Sequence, residues 1–188
     1  MKILYDDILK DNDPRVREKS AAVKLPLSAK DKEALLAMRD YIHKSRDEKL
    51  VKEFGYRPAV GLAAPQIGIK KRMFAMVVDI GDEENEEIVE YCFVNPKIIS
   101  HSMQLSYLGS GEGCLSVEEE HQGYVPRFSK IKIRAYDLLR DKEVELRFSG
   151  YLSIVVQHEM DHFDGVLFYD RINPYNPFMD IPNSVKID

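Results

Sequence analysis

Between Gly150 and Gly165 runs the stretch Tyr151-Leu152-Ser153-Ile154-Val155-Val156-Gln157-His158-Glu159-Met160-Asp161-His162, mostly apolar yet carrying two histidines and a glutamate. The spacing predicts a helix over about 151–163, stopped at Gly165. A helix whose first turns are apolar on most sides must be covered on most sides, and titratable groups buried with it need partners. At about 3.6 residues per turn, His158 and His162 lie one above the other, so both rings can reach one divalent ion. Glu159, about 100° around the helix, can reach a water on that ion rather than the ion itself. One histidine in such a helix reads as packed core. The full His-Glu-x-x-His spacing reads as a metal site with its own proton carrier.

The chain has 188 residues, with 44% hydrophobic and 31% charged content, enough for one globular domain spanning 1–188. A net charge of −5 gives no basic surface that would suggest nucleic-acid binding. The first residues lack an apolar core of signal-peptide length, and no apolar run approaches the ~18 residues of a membrane helix, so a cytoplasmic protein is expected. In a reducing compartment Cys92 and Cys114 are not expected to pair. Cys92, between Tyr91 and Phe93, reads as a small buried hydrophobe.

A capping-box-like Ser28-Ala29-Lys30-Asp31 predicts a helix over about 29–45. Residues 44–58 read as a long loop and 72–79 and 91–94 as strands, with the acidic run 82–87 as a solvated hairpin tip. Alternation at 131–136 and 143–148 predicts two half-buried strands joined near Arg140-Asp141. The proline-bearing tail from Asn173 reads as irregular. The expected class is α+β, with antiparallel strands packed around the central helix that carries the metal motif.

Two histidines leave a coordination shell incomplete. Cys114, Glu112, His121, His101 and Asp164 are the candidates for a third ligand. Cys114 stands out because the turn-prone run Gly109 to Gly113 could present its thiolate closely to an ion. His43, His101 and His121 otherwise read as solvated.

Three segments taken in order, Gly61-Leu62-Ala63-Ala64-Pro65-Gln66, Glu112-Gly113-Cys114-Leu115-Ser116 and Gln157 to His162, resemble the signature motifs of peptide deformylases. The likeness extends from about residue 10 to 172. It is closest to the second bacterial subclass, found in Gram-positive bacteria, with a longer loop before the first motif and a short tail instead of a long C-terminal helix. One departure is Ala59, where the family usually has glycine, which bears on how closely the backbone at Ala59-Val60 approaches a peptide. The resemblance implies removal of the formyl group from the N-terminal formylmethionine of newly made polypeptides, releasing formate. It implies Cys114, His158 and His162 as ligands of one divalent metal, Fe(II) in the cell with Zn(II), Ni(II) or Co(II) accepted, and Glu159 as proton carrier. It also implies the Gln66 amide and the Leu115 N–H as oxyanion donors, and a backbone edge at Val60 and Gly61 that pairs with the substrate. Gly113, Tyr151, Ile154 and Val155 are expected to contact substrate, although Tyr151 and Ile154 could equally be core. Asp161 is expected to anchor the helix to Arg127, with a plain surface salt bridge as the rival. The partners implied are formylmethionyl nascent peptides and a transient contact with the ribosome. A zinc peptidase and an inactive metal-binding module remain the alternatives.

Overall fold

The computed structural model describes residues 1–82 and 85–188, so Glu83 and Glu84 of the expected hairpin tip lie outside the described residues. The helices are α1 (Ala29–Lys44), α2 (Glu48–Phe54) and α3 (Gly150–Asp161). The strands are β1 (Gly61–Ala63), β2 (Met73–Asp79), β3 (Ile88–His101), β4 (Leu105–Leu108), β5 (Arg127–Phe128), β6 (Lys130–Asp137), β7 (Lys142–Ser149) and β8 (Ser184–Ile187). An antiparallel sheet runs in the order β1-β2-β3-β6-β7, and a smaller sheet in the order β5-β4-β8. The expected α+β class holds, with one addition: β4 pairs with β8 in parallel.

The run Met73 to Val78 is buried without alternation because β2 has a helix on each face. Met73, Ala75 and Val77 pack with Leu35, Met38 and Ile42 of α1, whereas Phe74, Met76 and Val78 share a core with Val155, Val156 and Phe163. At the start of α1, Ser28 Oγ accepts from the Asp31 N–H at 3.2 Å. The Asp31 carboxylate accepts from the Ser28 hydroxyl at 2.8 Å and from Lys71 at 2.5 Å. The cap is thus completed by a lysine from another segment.

Three expectations along the chain are corrected. The loop at 44–58 contains α2: Asp47 caps it by accepting from the Lys49 and Leu50 N–H groups, and Gly55 ends it at φ 69°. β3 continues well past Val94, because Asn95, at φ 50°, and Pro96 make a bulge between Val94 and Lys97 after which pairing with β6 resumes. The tail is not wholly irregular, since β8 adds to β4.

α3 is fastened to β5 by side chains. Gln157 Oε1 accepts from the Phe128 N–H at 3.0 Å, its Nε2 donates to the Phe128 carbonyl at 2.9 Å, and Ser153 Oγ donates to that carbonyl at 2.8 Å. These bonds fix the rotation of α3 and so the direction of its histidines. Past a short turn, Gly165 has φ +70°, and a Cβ there would meet the Arg17 carbonyl oxygen at 2.1 Å. The helix therefore ends where the N-terminal segment crosses it.

Candidate active site

β1 is the edge strand of the larger sheet, pairing on one side only with β2. Beside it opens a cavity of about 550 Å³. Val60, Gly61, Gly113, Tyr151, Ile154 and Val155 line it, together with Gln66, Cys114, Leu115, His158 and Glu159. Ile154 and Val155 form buried walls, whereas Tyr151, at 38% exposure, stands at the mouth and is not part of the core. Arg46, Arg57 and Leu108, for which the sequence carries no motif signal, complete the walls.

Ligand atoms of Cys114, His158 and His162 all lie within 4.8 Å of one another. Cys114 Sγ is 3.5 Å from His162 Nε2. His158 Nδ1 lies 2.8 Å from Glu112 Oε2. That contact assigns Nδ1 as the protonated nitrogen and leaves Nε2 for an ion, the usual arrangement of a metal-bound imidazole. One cysteine sulfur and two imidazoles close enough to share one ion fit the donor set of a transition-metal dication. The other candidate ligands are elsewhere: Asp164 pairs with Arg72 at 3.2 Å, and exposed His101 stacks on Phe128. His121 is half-buried against Tyr169 with ring centroids 4.2 Å apart, so it is packed rather than simply solvated. His43 is exposed and contacts Glu90 at 2.9 Å.

Glu112 contacts His158 from behind and is not one of the three clustered residues. Its carboxylate takes a two-pronged contact from Arg127, at 2.9 and 2.8 Å, besides His158. Burial alone would raise its pKa, but Arg127 and His158 hold it down at about 2. The Arg127 and Glu112 side chains are each 1% exposed and that of Asp161 is 14% exposed, so both ion pairs of Arg127 are largely buried. Arg127 also binds Asp161, which receives Arg171 at 2.6 Å on both oxygens. A buried pair is stabilising only when its remaining hydrogen-bond sites are filled. Here His158 bonds Glu112 and Asp161 bonds Arg127. The imidazoles diverge: Cys114 and Glu112 push His158 upward against the effect of burial, whereas burial pushes His162 down.

Glu159 is 4% exposed, and its Oε2 is buried without a hydrogen-bond partner. Burial raises its pKa to about 7. Gly61 gives it room, since a Cβ there would lie 2.2 Å from Glu159 Oε1. Gln66 Oε1 accepts from the Ala63 N–H at 2.8 Å, and its Nε2 lies 3.1 Å from Ser116 Oγ and 3.4 Å from Cys114 Sγ. The Leu115 carbonyl accepts from Lys10 at 3.2 Å, and its N–H has no hydrogen-bond partner among the described residues.

The polypeptide deformylase family model matches residues 5–177. The chain belongs to the peptide deformylase family. A peptide deformylase of Ligilactobacillus salivarius is 45% identical over 175 residues, covering 93% of this chain and 94% of the relative. Peptide deformylase 2 of Bacillus subtilis is 41% identical over 186 residues, 99% of each chain, in keeping with the Gram-positive likeness. Among solved structures, a peptide deformylase from Ehrlichia chaffeensis superposes with a TM-score of 0.75 at 25% identity, covering 94% of this chain and 91% of that one. This peptide deformylase is accordingly a metal-dependent hydrolase that removes the N-formyl group from nascent peptides, and neither the zinc peptidase nor the inactive module is favoured. Among the described residues no helix is long and apolar enough to cross a membrane.

Proposed function

We propose that Cys114, His158 and His162 hold one divalent ion, Fe(II) in the cell and replaceable by Zn(II), Ni(II) or Co(II), while Glu159 carries the proton in formyl-amide hydrolysis. The observation that carries this reading is the unpartnered, buried carboxylate oxygen of Glu159 in the cavity that holds Cys114 and His158. A dication held there supplies Lewis acidity, bringing the pKa of an attacking water toward about 7 and polarising the formyl carbonyl. Glu159 takes the proton of that water through its free oxygen and returns it to the departing amine. Glu112 keeps His158 in one tautomer, and Arg127 and Asp161 keep Glu112 and α3 in register.

As the water adds, negative charge gathers on the formyl oxygen. The Leu115 N–H and the Gln66 amide are the donors for it. The Gln66 amide is held in plane by the Ala63 N–H on its oxygen, and its Nε2 faces the cavity side beside Cys114 Sγ at 3.4 Å, where a hydrogen can be shared with the oxyanion. The open edge of β1 at Val60 and Gly61 receives the extended peptide backbone by strand addition. Ile154, Val155 and Tyr151 surround the methionine side chain, and Gly113 borders it. The domain spans 1–188 and acts in the cytoplasm, with transient ribosome contact.

The test is formate release from formyl-Met-Ala-Ser by protein loaded anaerobically with iron. Wild-type protein should release formate stoichiometrically with the free amine. Glu159→Ala should retain its metal and lose about 10²- to 10⁴-fold in turnover, the usual span for general acid–base work. A metal-replete Glu159→Ala enzyme with most of its activity would sink the proton-carrier role.

A further inference from the structure

A peptide laid along β1 has its reacting end at Gly61, where a Cβ would stand 2.2 Å from Glu159 Oε1. From there it has one open direction. Leu62, Ala63 and Ala64 are fully buried, whereas Ala59 and Val60 are half-buried and Arg57 and Pro58 exposed. The peptide therefore runs from Gly61 toward Arg57, antiparallel to this segment, at about 3.3 Å per residue. With the formylmethionine against Gly61 and Val60, the second residue of the substrate lies opposite Ala59 and the third opposite Pro58.

Beyond Val60 the segment has no backbone N–H left to give. The Ala59 N–H donates to Ser45 Oγ at 3.2 Å, Pro58 has none, and the Arg57 N–H donates to Tyr41 Oη at 3.4 Å. Ladder bonding thus fades where the second and third residues lie, and side chains have to supply what grip there is. Two guanidinium side chains line the cavity here, Arg57 and Arg46. Arg46 is brought beside Ala59 by its neighbour Ser45, the acceptor of the Ala59 N–H. Its nearest carboxylate, Asp79, is loosely placed at 3.7 Å. Arg57 lies over the Tyr5 ring, 4.6 Å from its centroid, and has no carboxylate partner among the described residues. The carboxylates that line the cavity, Glu112 and Glu159, are buried at its reacting end, and Glu112 is already bound to Arg127 and His158. A guanidinium keeps its charge at any working pH, and its fork of donors matches a carboxylate.

We propose that Arg46 and Arg57 form a charge-selective subsite that favours formylmethionyl peptides with an acidic side chain at the second or third residue. The proposal rests on the reading that Glu159 serves formyl hydrolysis and that the peptide adds to β1. The net charge of −5 would by itself draw basic peptides, so a preference for acidic ones has to come from these two side chains.

The experiment measures kcat and KM by formate release from amidated peptides, since a free terminal carboxylate would itself reach the subsite. The probes are formyl-Met-Ala-Ser-amide, formyl-Met-Glu-Ser-amide, formyl-Met-Ala-Glu-amide and formyl-Met-Ala-Lys-amide. In wild type the better glutamate peptide should exceed the neutral one about 3- to 10-fold in kcat/KM, the span of a partly exposed ion pair, and the lysine peptide should fall below both. The gain should sit in KM, because a contact remote from the reacting carbon holds substrate and transition state alike, and it should shrink as salt is raised. Arg46→Gln and Arg57→Gln should each reduce the glutamate-to-neutral ratio, the double variant should bring it to about one, and Arg57→Glu should turn the preference toward lysine. Lys97→Gln, an exposed cation of β3 outside the cavity, should keep the ratio. The ratio is taken within one preparation, so the folded fraction cancels, and if the double variant fails to fold the single variants carry the comparison. Equal kcat/KM for the four peptides, a preference that survives both arginine substitutions, or one that Lys97→Gln removes as fully as Arg57→Gln overturns the proposal while hydrolysis stands. No formate from any of the peptides would mean that the hydrolysis reading has failed, and the proposal with it.

Discussion

Gly61→Ala is a one-methyl change whose consequence can be worked from distances. The added Cβ would stand 2.2 Å from Glu159 Oε1, 2.6 Å from its Cδ and 2.8 Å from its Cγ, where ordinary contact begins at 3.4 Å. Gly61 has no left-handed φ, so alanine brings no backbone strain and the whole effect is the collision. Glu159 is 4% exposed and cannot swing into solvent, and Gln157 and Ser153 hold α3 against β5. The carboxylate must then move by about 1 Å, and a displacement of that size costs about 10²-fold in rate. The assay is formate release by metal-replete protein, with kcat and KM measured separately, in wild-type and Glu159→Ala backgrounds. We expect kcat to fall about 10²-fold in the first background and to change by less than about threefold in the second, because the group being displaced is gone. Equal losses in both backgrounds, or a loss confined to KM, would refute the reasoning. Gly61 would then matter for the substrate's approach to β1 and not for Glu159.

Cys114→Ala should strip the metal, measured after gel filtration, because it removes the one anionic ligand of the proposed set, and stoichiometric metal in the variant would rule the residue out. Cys92 is fully buried and its thiol is pushed up to about 12 by burial, so it should resist alkylation in the native protein and its change to alanine should leave metal content unaltered. Gln66→Leu should lower kcat about 10²- to 10³-fold with little change in KM, as removal of one oxyanion donor does; a change in KM alone would assign it to uniform substrate binding. Tyr41 is 1% exposed and burial lifts its hydroxyl to about 12. The unfolded chain then loses its proton first, so the stability Tyr41 contributes is whole below about pH 10 and falls by roughly 3 kcal/mol as pH rises through about 12. Denaturant unfolding between those pH values should show this slope in wild type and a shallower one in Tyr41→Phe; parallel curves would contradict it.

The pairing of His158 with His162 and the offset of Glu159 were legible in the sequence because they lie within one helix, where the rise and turn of the backbone set which side chains share a face. The strand alternation at 131–136 and 143–148 was legible for the same local reason, and it matches β6 and β7. β2 showed its strand character but not its two covered faces. Its apolar run says only that both sides are dry, and the packing of α1 and α3 decides against what. Capping hid α2 from pattern reading, since seven residues with Leu50 and Val51 half-buried carry too short a period to separate from a charged loop. Tertiary structure alone decided which side chains meet from distant segments. The sheets and the 114–117 turn bring Cys114 to the histidines, turn Glu112 from a possible ligand into the brace of His158, and bury Arg127 between Glu112 and Asp161. Lys10 is the extreme case: neither its neighbours nor any spacing mark it, because its partner is a backbone carbonyl 105 residues away, and a carbonyl leaves no trace in residue type.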